Sequence, residues 1–86
     1  MTGAIEKAEL GNPHGLLTMT ANGEAWIVEV GPPRRNERAG LRDEMMVAGV
    51  EITEHGIHST DPAQRVVKAE RVLIGGTRYD LYPDRP

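Results

Sequence analysis

His14 directly follows Asn12-Pro13, and His58 directly precedes Ser59-Thr60-Asp61-Pro62. Imidazole nitrogens and carboxylate oxygens are the donors of zinc and copper(II) centres, so His14, His58 and Asp61 form a candidate metal set for either ion. Met45-Met46 and Met19 add thioethers suited to copper(I). His55 stands three residues before His58, an odd spacing that sends the two to opposite faces of a regular strand. A break at Gly56 would instead carry His58 into the following loop and toward His14. The competing reading is structural. Asn12 closes a turn through its own backbone, Pro13 fixes φ, His14 caps the loop, and the methionines fill core gaps in a chain without phenylalanine.

Arg34, Arg35 and Arg38, with Arg42 just beyond, gather basic side chains at helical spacing. Guanidinium groups so placed could hold a phosphate, a carboxylate or an acidic partner. Against this, Glu37, Asp43 and Glu44 balance the charge as on an ordinary solvated face. Enzyme chemistry finds little footing. There is no cysteine nucleophile, Ser59 lacks a surrounding motif, and no Gly-x-Gly phosphate loop is present. Glu6, Glu9, Glu29 and Glu51 read as solvent-side strand residues, and the expectation is a non-enzyme.

The elements that must carry these residues are short strands. Asn22-Gly23 accepts the positive φ angles of a tight hairpin and separates residues 16–21 from 24–30. In the second of these strands Trp26, Val28 and Val30 share one face, expected to be the core face. Gly75-Gly76 marks another hairpin, between residues 66–74 and 77–82. Ile5, Ala8 and Leu10 cannot all point inward at a period of two unless an extra residue sits near Glu6-Lys7, which predicts a bulge and a bent first strand. Val50, Ile52 and Ile57 pose the same problem around Gly56. Between the third and fourth strands, Pro32-Pro33 opens a short helix that Gly40 can end in a left-handed conformation. The resulting order is that of a mainly β protein: a small five-stranded antiparallel OB-fold-like barrel with one short helix between strands 3 and 4.

With 86 residues the chain makes one domain, 1–86, with a frayed tail at about 83–86. Its net charge of −3 argues against a general nucleic-acid binder, whose footprint is normally basic. One tryptophan and two tyrosines also fall short of the stacking platform that single strands need. No apolar run approaches the length of a membrane span, and no export signal precedes Glu6-Lys7.

Asn12-Pro13-His14-Gly15, the strand containing Trp26, Gly31-Pro32-Pro33-Arg34 and Arg38-Ala39-Gly40-Leu41 stand in an order that resembles a family of small bacterial proteins of unknown function. That family is characterised by an Asn-Pro-His motif and an export signal, and the similarity runs from about Gly3 to Tyr82. It implies a periplasmic or secreted β-rich domain with no assigned activity, in which Met1 replaces a removed leader. The chain departs from the pattern at Leu10-Gly11, where the family commonly has an aromatic residue, and at Gly49-Val50, where it has a Gly-Asp step.

The combined expectation is a non-enzymatic OB-fold-like binding or interaction module of the bacterial cell envelope. Its candidate ligand residues are Asn12, His14, His58, Arg34, Arg35 and Arg38, its partner a small polar ligand or a protein, and its state a monomer or weak homodimer. The expectation includes no cofactor. The alternative is a periplasmic copper- or zinc-binding protein using His14, His58 and Asp61.

Overall fold

The structure, a computed structural model, describes residues 1–11, 13–61 and 63–84. Three strands, β1 (Thr2–Glu9), β2 (Leu16–Ala21) and β3 (Glu24–Glu29), lead into the helix α1 (Pro33–Arg38) and a 3-10 turn (Asp43–Met45). Three more follow: β4 (Glu51–His58), β5 (Val66–Ile74) and β6 (Thr77–Asp80). β1 pairs with β2 and β4, β2 with β3, and β4 with β5, all antiparallel. The last contact, β3 against β5, is parallel and closes a five-stranded mixed barrel of OB-fold-like order. β6 extends the sheet from β5 without joining the closed ring. The expected all-antiparallel barrel is therefore mixed at one seam, because β3 and β5 run the same way when the ring shuts.

Local chemistry explains the turns. Asn22 and Gly23 take φ of 53° and 77°, and Gly75 and Gly76 take 58° and 82°, as two-residue hairpins require. α1 ends in a Schellman motif: the Gly40 N–H donates to Glu37 O and the Leu41 N–H to Asn36 O, with Gly40 at φ 87°.

The bulge expected near Glu6 is present, since Ile5 faces Met19 while Lys7 faces Thr18. The irregularity near Gly56 lies in the partner strand instead. His55 faces Arg71 and Gly56 faces Ala69, which leaves Glu70 as the extra residue and the alternation of β4 unbroken. Gly56 has its own role: a Cβ there would collide with the carbonyl oxygen of Lys68, so only glycine lets β4 and β5 approach so closely. β6 ends earlier than the alternation of residues 77–82 suggests, because the Leu81 and Tyr82 N–H groups both donate to Glu70 O.

Ile5, Leu17, Met19, Val28, Val30, Leu41, Met46, Ile52, Val72 and Leu81 fill the barrel. Met19 and Met46 are buried there as packing groups, and Met45 packs against them. Trp26, on the inward phase of β3 as expected, is partly buried. Among the described residues no helix is long and apolar enough to cross a membrane.

Candidate functional site

One end of the barrel is framed by the start of β1, the start of β3 and the end of β4. On β4 the phase of Ile52 continues through Glu54, Gly56 and His58, so a buried carboxylate and, at the exposed end of the strand, an imidazole follow the apolar Ile52. Glu54 has 0% exposure, and among the described residues neither Oε1 nor Oε2 has a hydrogen-bond partner. His58 Nε2 lies 3.4 Å from Oε1, and the Met1 amino nitrogen lies 3.5 Å from the same atom while donating to the Glu54 carbonyl at 2.7 Å. Trp26 meets His58 edge to face, with ring centroids 5.6 Å apart. The imidazole is 46% exposed, which makes it the solvent-facing member of the group. A fully buried carboxyl group is costly unless it is paired, hydrogen-bonded or coordinated.

The outer wall of the barrel is a second feature. Leu16 faces Glu29, Glu29 faces Lys68, and Lys68 faces Ile57, so one row of side chains crosses four strands on one surface. The next row places Thr18 beside Ile27 and Ile27 beside Val66. Leu16 and Ile57 are 41% and 57% exposed, unusually high for large aliphatic groups. His14 lies at the rim of this wall, its Nδ1 3.6 Å from Glu29 Oε1.

The two histidines singled out by sequence are thus kept apart. The partner of His14, Glu29, and the partner of His58, Trp26, are three residues apart on β3, about 10 Å along the strand and on opposite faces. His55 and His58 also face opposite ways, opposite Arg71 and Val67 respectively. Asp61 spends its side chain on its own turn, accepting from the Ala63 N–H. Among the described residues no three His, Cys, Asp or Glu side chains gather as a metal set, so His14, His58 and Asp61 do not form one. Asn12 lies outside the described residues, as do residues 85 and 86 of the expected frayed tail.

The arginines divide. Arg35 is structural: its Nη1 donates to Leu81 O at 3.1 Å and its guanidinium lies 4.4 Å from the Tyr82 ring centre. It ties α1 to the end of the chain. Arg34 and Arg38 are exposed and line a shallow cleft with Glu37.

Sequence reasoning missed Glu54 as a site residue and placed Trp26 in the core without a ligand role. The signal was available, since Glu54 shares a phase with Ile52 in a strand whose inward face must be apolar.

Comparison with protein-family models, curated proteins and solved structures finds no match to this chain.

Proposed function

We propose that the chain is a non-catalytic, OB-fold-like interaction module that docks a protein partner on the outer wall of β2, β3, β5 and β4. The observation that carries this reading is the registered row Leu16–Glu29–Lys68–Ile57, with its aliphatic ends exposed to solvent. OB folds commonly bind on the face of strands 2 and 3, where this row begins. The outside of a barrel is convex, which suits a macromolecular surface better than a small molecule, whose sites are concave. Glu29, Lys68 and His14 supply polar contacts around the aliphatic groups. The Asn-Pro-His resemblance favours action in the bacterial cell envelope, with the chain exported.

A photo-crosslinking residue at Ile57, expressed in the native host, tests the reading. A discrete protein adduct that Leu16→Asp abolishes is the expected result. The same adduct from a control probe at Glu51, or no adduct from Ile57, overturns it.

A further inference from the structure

We propose that the end of the barrel at Glu54 and His58 is a site for a divalent transition-metal ion, zinc or copper(II), held by Glu54 Oε1 and His58 Nε2. Three observations meet there. The carboxylate is fully buried and, among the described residues, its oxygens accept no hydrogen bond. Among the described residues its ion-pair partners are the Met1 amino group at 3.5 Å and His58 Nε2 at 3.4 Å from Oε1, and coordination satisfies such a carboxylate where hydrogen bonding does not.

The second observation is the spacing. The 3.4 Å between Nε2 and Oε1 is long for an imidazole–carboxylate hydrogen bond, for which about 2.7–3.2 Å is usual. It matches the edge of a coordination tetrahedron. Bonds of about 2.0–2.2 Å to nitrogen and oxygen, opened to the tetrahedral angle, hold two donors roughly 3.3–3.5 Å apart.

The third is the donor chemistry. One imidazole nitrogen and one carboxylate oxygen suit zinc and copper(II), whereas magnesium and calcium take all-oxygen sets. Among the described residues no third His, Cys, Asp or Glu joins the pair, so water completes the coordination and the ion exchanges readily. The half-exposed edge of His58 gives the entry path. This differs from a His14–His58–Asp61 centre, because His58 works with the carboxylate four residues behind it on the same face of β4.

Trp26 is the only tryptophan and touches His58, so its fluorescence reports directly on an ion at Nε2. Copper(II) titrated into the tag-free protein should quench Trp26 saturably at one equivalent, and zinc should shift the His58 imidazole nitrogens in NMR spectra. His58→Gln and Glu54→Gln should each weaken the affinity by at least about tenfold. His14→Gln and His55→Gln should leave it unchanged. Quenching that survives His58→Gln, or that is lost in His14→Gln, overturns the site, as does a zinc titration in which the His58 nitrogens stay still. The zinc measurement uses the unaltered chain, so a folding defect in Glu54→Gln does not blunt the test. Leu16→Asp, which disables the wall, should leave metal binding intact.

Discussion

The two ends of the barrel solve the problem of closure in opposite ways. At one end Leu41, Met46 and Leu81 are buried in the core, Arg35 of α1 clamps the returning chain at Leu81 O and Tyr82, and Asn36 donates from Nδ2 to Gly31 O. At the other end a buried carboxylate stands where a hydrocarbon would pack, beside an imidazole that is half in water. The first arrangement converts contact into stability. The second leaves a fully buried carboxyl group whose oxygens, among the described residues, accept no hydrogen bond.

Substitutions at the two ends should therefore move stability in opposite directions. The largest effect belongs to the end that carries α1: Leu41→Ala should cost about 3 kcal/mol, lowering the midpoint of thermal unfolding by more than about 10 °C. Arg35→Ala removes both a hydrogen bond to Leu81 O and a cation–π stack, and chemical denaturation should show a loss of about 2 kcal/mol. At the Glu54 end the sign reverses. Glu54→Leu fills the same space without a buried carboxylate, the Met1 amino group keeps its bond to the residue-54 carbonyl oxygen, and stability should rise by about 1 kcal/mol, seen as a higher melting temperature. A fall on this substitution would break the comparison, because it would make Glu54 a structural group like Arg35.

The smallest effect lies on the solvent side of β1. Lys7 and Glu9 form a surface ion pair, and the Lys7 ammonium holds the Glu9 carboxyl below its ordinary range while its own pKa is raised. A lowered carboxyl pKa gives stability that is present above the unfolded-state value and lost as the pH falls through the folded-state value. Both groups are exposed, so Lys7→Ala should leave the melting temperature unchanged and only return the Glu9 titration, followed by carboxyl NMR, toward the usual carboxylate range.

The parts of this molecule that were legible in its sequence are those fixed by neighbouring residues. Asn22-Gly23, Gly75-Gly76 and Gly40 announce their turns because each position demands a positive φ, and the bulge at Glu6 follows from the failed alternation of Ile5, Ala8 and Leu10. What depended on distant partners was hidden. The parallel meeting of β3 and β5 has no local signature, and the extra residue opposite Gly56 turned out to be Glu70, on another strand. His14 and His58 could be joined on paper because loops are unconstrained there; only the strand pairings put their partners on opposite faces of β3. Arg35 looked like a free cation for the same reason, since nothing near it in sequence shows that Leu81 returns to it.

The seam between β3 and β5 rests on three residue pairs and the bond from the Ile27 N–H to Arg65 O. Its two strands are about 40 residues apart in the chain, whereas the Asn22-Gly23 hairpin joins immediate neighbours. Closing so long a loop through so few pairs is entropically costly, which makes the seam easier to open than the hairpin. Amide exchange at Ile27 should accordingly outpace exchange in the hairpin between β2 and β3. The row Leu16–Glu29–Lys68–Ile57 crosses this seam, so a protein seated on it would act as a staple, slowing the breathing of the ring and coupling occupancy of the wall to the lifetime of the closed barrel.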